Sequence, residues 1–226
     1  MKRSPVQIGI RPHKRKFKMQ ISKLKILYED DNLLVIDKPA GVNADDIPRR
    51  VHRLDKDTSG ILLVAKDNKT LDFLQKQFKG KKVKKKYLAL VVGNLKNKEG
   101  EVETLLGRSP GDRKKQKVYL PGEPRSQEKR KAVTEYKVLQ RFENYTLIEV
   151  VPKTGRKHQI RTHLAYLSHP IAGDKLYGFK NQPTPKGLKR QFLHASYLKI
   201  KLPNGEEKEF NSELPEDLNK VLNYLK

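Results

Sequence analysis

The residues best suited to chemistry lie together in His52-Arg53-Leu54-Asp55-Lys56-Asp57-Thr58-Ser59-Gly60, which brings carboxylates, an imidazole, a guanidinium and two hydroxyls into one short run. A carboxylate in such company can serve as nucleophile, general base, cation ligand or turn cap. From Asp55 onward the spacing of oxygen-bearing residues, with Gly60 sixth, fits the opening of a calcium loop. That loop then fails, because Lys66 stands where a bidentate Glu is needed and Ile61 to Ala65 reads as a strand, not a helix. A kinase catalytic loop would place Asp directly after Arg and would need Asp-Phe-Gly and a Gly-rich phosphate loop, all of which are missing. Gly173 to Gly178 has the glycine spacing of a P-loop, but Phe179 occupies the lysine position. His158 and His163 are five residues apart, not the four that set two ligands on one helical face, so no metal is expected. A capped turn between strands accounts for Asp55, Thr58, Ser59 and Gly60 taken singly.

The elements that must position this run follow from apolar patterning. Short apolar runs bounded by turn residues predict strands at Ile26 to Tyr28, Leu33 to Ile36 and Ile61 to Ala65. Further strands are expected at Tyr87 to Val92, Gly100 to Leu106, Ala132 to Arg141, Tyr145 to Val151, Phe192 to Leu202 and Glu207 to Phe210. Leu71, Leu74 and Phe78 recur at helical spacing after a capping Asp67 or Asn68, and the helix should run to about Lys79. Helical spacing returns from His158 to Leu167, and again after Pro215 with Leu218, Val221, Leu222 and Leu225 on one face. The sum is an α+β fold, a largely antiparallel mixed sheet with flanking helices, in one domain over residues 25–226. Residues 107–131, with Pro-Gly turns among many charges, suit an exposed basic insertion or flexible hairpin.

Charge narrows the partner. Lys and Arg number 50 against 26 Asp and Glu, a formal +24, and the cations cluster at Lys2 to Lys25, Lys76 to Lys86, Arg108 to Lys131 and Lys153 to Arg161. Such a surface attracts polyanions, nucleic acid first among them. Residues 1–24 hold no acid and little periodicity, and read as a basic arm that is mobile unless bound. The chain has no cysteine, which excludes disulfides, Cys-ligated zinc, iron–sulfur clusters and a thiol nucleophile. No apolar run approaches the roughly 20 residues of a membrane span and no secretory signal is legible, so a cytoplasmic protein is expected.

Taken whole, the His-Arg-Leu-Asp and Thr-Ser-Gly string resembles the active-site motif of the RluA-type family of RNA pseudouridine synthases. Four further blocks resemble that family in the same order: Asn32 to Gly41, Lys85 to Gly93, Gly155 to His163 with its continuation to Gly178, and Leu193 to Ala195. The resemblance spans about residues 25–215. It departs in one place, since only Val42 to Val51 separate the Lys-Pro-Ala-Gly block from the Asp55 block, where family members usually carry a longer, partly helical segment. That shortening raises a rival reading, an RNA-binding or ribosome-assembly factor that kept the scaffold and lost turnover.

The resemblance implies isomerisation of uridine to pseudouridine in structured RNA, with ribosomal RNA ranked ahead of transfer RNA, without a cofactor or metal; a monomer is expected. Asp55 would be the catalytic carboxylate, acting at the sugar as nucleophile or as base. Tyr87 would stack on the flipped uracil, and Arg161, placed by the helix read from His158, would pair with Asp55. Extruding a base leaves a gap in the stack; Arg53 is the candidate to fill it, with His52 beside it. Lys86, Arg156, His158 and Gln159 complete the candidate RNA contacts.

Overall fold

The computed structural model describes residues 24–226; the basic arm expected over 1–24 lies, but for Leu24, outside the described residues. Ten strands form one sheet: β1 (Lys25–Glu29), β2 (Leu33–Lys38), β3 (Ser59–Ala65), β4 (Lys84–Val92), β5 (Glu99–Arg108), β6 (Gln116–Tyr119), β7 (Arg130–Arg141), β8 (Tyr145–Pro152), β9 (Leu193–Lys201) and β10 (Glu207–Asn211). Their spatial order is β1-β2-β3-β9-β4-β8-β7-β5-β6, with β10 also on β9. Among the described residues three α-helices flank the sheet: α1 (Asn68–Lys79), α2 (Gln159–Tyr166) and α3 (Glu216–Leu225). The expected α+β class is the observed one, and every pairing but one is antiparallel.

The exception is the short parallel contact of β3 with β9, Ser59 beside His194 and Gly60 beside Ala195. Gly60 has φ +114° and a Cβ there would collide with the Ala195 backbone, so glycine is required where the Asp55 loop enters the sheet. Two side-chain bonds lock the junction: Ser59 Oγ lies 2.9 Å from His194 Nδ1, and Gln191 Nε2 donates to Thr58 Oγ1 at 2.8 Å.

Strands β2 and β3 read as continuous apolar runs because both faces are covered. Leu33, Val35, Ile61 and Leu63 pack with Leu74 of α1, while Leu34, Ile36, Leu62 and Val64 face Ala44, Ile47 and Leu54 of the link into the Asp55 loop. The short link is thus anchored without a long helix: it makes one 3-10 turn, Ala44–Asp46, and then bonds β3 through the N–H of Val51 to Leu63 O (2.9 Å) and the N–H of Ala65 to Arg49 O (3.0 Å). Helix α1 starts at Asp67, whose carboxylate accepts the Thr70 N–H at 2.8 Å. A second core gathers Leu90 and Ile148 of the central strands with Ile160 and Leu164 of α2 and Leu218 and Val221 of α3. Burying each such side chain stabilises by about 1.5–3 kcal/mol.

Segment 107–131 presents its charges to solvent but is pinned to the sheet. Strand β6, which the sequence does not reveal, pairs with β5, buries Tyr119 and sets its hydroxyl 3.0 Å from Arg108 O, to which it donates. Among the described residues no helix is long and apolar enough to cross a membrane.

Candidate active site

Asp55 sits in the tight loop between the link and β3, where its carbonyl accepts the Thr58 N–H at 3.1 Å. Beneath the loop, the fully buried Lys38 donates from Nζ to Pro39 O, Val42 O and Lys56 O at 2.8, 2.9 and 3.0 Å, tying the Lys-Pro-Ala-Gly turn to the residue after Asp55. Burial, opposed by the charges of Asp57 and Asp55, lowers that ammonium to about 8. On the outer side Arg190 donates to Asp57 O (3.1 Å), to Ser59 Oγ (3.1 Å) and to Asp217 of α3 (2.7 Å).

The Asp55 side chain retains 25% exposure, so it is open to a substrate. Arg161 reaches it from α2, with Nη1 donating to Asp55 Oδ2 at 2.9 Å. The same guanidinium grips Asp174 by two bonds, Nε to Oδ2 at 2.7 Å and Nη2 to Oδ1 at 2.9 Å. Burial alone would lower the pKa of Arg161; the bonds and charges of Asp174 and Asp55 outweigh it and hold the group above its ordinary value. Burial likewise raises Asp174, but Arg161 and the N–H groups of Leu176 and Tyr177 bring its carboxyl below the usual range. The fork geometry explains why arginine and not lysine occupies the position: one planar group holds two carboxylates at once.

Tyr87 lines the same cleft, and burial, helped by the negative charge of Asp55, pushes its phenol well up from its ordinary value. The cleft measures about 960 Å³ and runs from Asp55 and Arg161 past Tyr87 to Phe78 and Lys79 on α1. Arg49, Lys56, Lys81, Lys85, Lys153 and Lys157 line it. Among the described residues no cluster of three or more His, Asp or Glu is placed to hold a metal.

Several expected RNA contacts are placed otherwise. Lys86 turns to the opposite face of β4, where it pairs with Glu149 at 3.2 Å and lies over Tyr197; Lys85, two residues from Tyr87 and therefore on its face, enters the cleft instead. Strand alternation carries that signal. His52 is tucked under Phe78, with ring centroids 4.7 Å apart, and accepts the Leu63 N–H at Nε2; burial, reinforced by the charge of Lys85, lowers it to about 3. It supports the loop and stays a neutral ring. Gln159 is buried and spends its amide internally, donating to Val133 O and Thr134 Oγ1 and accepting from Thr154 Oγ1 and the Arg156 N–H. Arg53 is exposed at the rim, paired with Asp45 at 2.9 Å, and Arg156 lines the cleft while bonding Lys131 O at 3.1 Å. His158 does face the site, at 3.8 Å from Asp55. Asp174 went unread as a partner because its acceptor role depends on a contact across 13 residues that no local spacing encodes.

Residues 43–166 match the model of the family described as RNA pseudouridylate synthase. The chain belongs to that family. A ribosomal large subunit pseudouridine synthase D of Nitrosomonas europaea is 39% identical over 90% of the chain, and an uncharacterized RNA pseudouridine synthase of Bacillus subtilis is 36% identical over 90%. The chain spans 65% of the Nitrosomonas relative and 73% of the Bacillus one. Of solved structures, human RNA pseudouridylate synthase domain containing 1 aligns over 89% of this chain and 88% of its own, with 27% identity and a TM-score of 0.77. The human domain containing 4 gives a TM-score of 0.75 at 27% identity, covering 94% and 96% of the two chains. Names within the pseudouridine synthase family thus agree with the RluA-type blocks read from the sequence.

Proposed function

We propose that this chain converts uridine to pseudouridine in structured RNA, with ribosomal RNA favoured over transfer RNA because the similar Nitrosomonas protein is named for the large ribosomal subunit. The observation that carries the reading is the open carboxylate of Asp55, held by Arg161 in a cleft that Tyr87 also lines. A uridine extruded into this cleft would set its ribose against Asp55 and its ring against Tyr87. The carboxylate would act at the sugar, as nucleophile at the anomeric carbon or as base for a sugar proton. The bond from the anomeric carbon to N1 breaks, the uracil turns while held, and the bond to carbon 5 forms as that carbon loses its proton and N1 gains one. These steps require no metal or cofactor.

Cations along the cleft would hold the flanking phosphates, and the arm at 1–24 would add affinity; deleting the arm should weaken RNA binding at moderate salt without changing the fold, and unchanged affinity would refute that role. The protein would act as a cytoplasmic monomer. Asp55→Asn removes the reacting charge with little change of shape. We expect it to abolish pseudouridine formation on an unmodified ribosomal RNA transcript while RNA affinity stays within a few fold; activity equal to the wild type would end this reading. The anchored link of residues 42–51 favours turnover over the assembly-factor reading, because the Asp55 loop is fully supported without the missing segment.

A further inference from the structure

Arg161 occupies one oxygen of the Asp55 carboxylate, and the other, Oδ1, faces the imidazole of His158 with Nε2 at 3.8 Å. The far side of that ring is engaged: Nδ1 lies 2.9 Å from the Tyr177 hydroxyl. The hydroxyl oxygen in turn accepts the backbone N–H of Gln116, the first residue of β6, at 2.7 Å. A phenol oxygen that accepts from Gln116 keeps its own proton to give to Nδ1, and an imidazole that accepts at Nδ1 carries its proton on Nε2. In that tautomer the Nε2–H faces Asp55.

The backbone agrees that this ring is placed and not incidental. His158 has φ +53°, a left-handed conformation that persists where the surroundings over-determine it. Its ring meets Tyr177 edge-on at 5.6 Å, and its carbonyl accepts the Thr162 hydroxyl at 3.0 Å. Tyr177 also lies against the Arg161 guanidinium, 5.1 Å from ring centroid to Cζ, so one aromatic side chain supports both groups aimed at the carboxylate.

We propose that His158 is a positioning residue for Asp55: its Nε2–H, oriented through Tyr177 by the backbone of Gln116, closes on Oδ1 while Arg161 holds Oδ2. The approach of 3.8 Å needs less than about 1 Å of movement, and such bonds are often long until substrate is bound. The inference rests on Asp55 being the reacting carboxylate.

Single-turnover rates on an in vitro transcript of large-subunit ribosomal RNA, together with ¹⁵N spectra of the histidine rings, test it. His158→Asn tolerates the left-handed backbone but is too short to reach Asp55; it should slow single turnover at saturating RNA about tenfold, with RNA affinity within a few fold of the wild type. His158→Gln, whose amide nitrogen can stand near the Nε2 position, should recover most of that loss. Tyr177→Phe should slow the reaction about threefold, and the double variant Tyr177→Phe with His158→Asn should be no slower than His158→Asn alone, as expected for residues acting through one another. Additive losses, or a loss confined to RNA affinity, would overturn the proposal. Asp55→Asn serves as the control: if it keeps the wild-type rate, the proposed function fails and not the relay. The spectra decide the relay on any RNA. An Nε2–H tautomer for His158 that becomes mixed in Tyr177→Phe supports it, and an Nδ1–H tautomer in the wild type overturns it.

Discussion

Two arginines border the cleft and are held in opposite ways. Arg161 is buried, 9% exposed, and clamped by the wholly buried Asp174 as well as by Asp55; Arg53 is 63% exposed and pairs with Asp45, itself 39% exposed. The first is fixed before any RNA arrives, so orienting it costs nothing at the moment of reaction. The second is free to exchange its partner for a phosphate or a vacated stacking position. The contrast separates a rigid interior from an exposed rim, which on the proposed function would set the chemistry and meet the RNA respectively.

The contrast is broken most readily at its buried end. Arg161→Met leaves Asp174 as an uncompensated buried charge, and we expect about 3–5 kcal/mol of lost stability in urea melts together with loss of activity. Stability no lower than that of Arg53→Met would remove the distinction. The pH dependence has a defined sign: the folded pKa of Asp174 is depressed, so its contribution is full above its ordinary value and is lost as pH falls through the folded one. In Arg161→Met this acid sensitivity should shrink.

A smaller effect is expected at His52, which sits between interior and rim. Its folded pKa of about 3 lies below the ordinary 6.5, so the unfolded chain binds the proton first and stability falls as pH drops from 6.5 toward 3. His52→Phe keeps a ring against Phe78 and removes that proton-linked slope; an unchanged slope in urea midpoints would show that the ring is not held neutral. The smallest change in stability is expected for Arg53→Ala, under about 1 kcal/mol, since exposed pairs contribute little. Its effect should appear in RNA affinity and its salt dependence, and a large loss of stability would place Arg53 with the interior.

Much of this was legible in the sequence. Asp55, Tyr87 and Arg161 converge on one cleft as the ordered blocks imply, and the strands and helices lie where apolar periodicity puts them within a few residues. The misplaced residues share a physical cause. Lys86 and Lys85 differ by one position, and in a strand one position is a change of face. His52 and Gln159 are polar groups whose partners, Leu63 and Val133 among them, come from other elements, so nothing in their neighbourhood marks them as structural. Strand β6 is four residues long and mostly charged, and its assignment depends on pairing with β5.

The parallel contact between β3 and β9 has a consequence for the history of each molecule. Ser59 and His194 are 135 positions apart, and Arg190, itself held by Asp217 from further along the chain, braces the same loop. A contact of such sequence separation closes late, after the intervening strands have formed. During synthesis, the strands that precede Arg190 can emerge and begin to collapse while the loop bearing Asp55 lacks its brace. The Asp55 loop is fully braced only when the segment from Arg190 to Asp217 has also emerged, so, on the proposed function, a chain stalled before that segment would hold RNA through its lysines without modifying it.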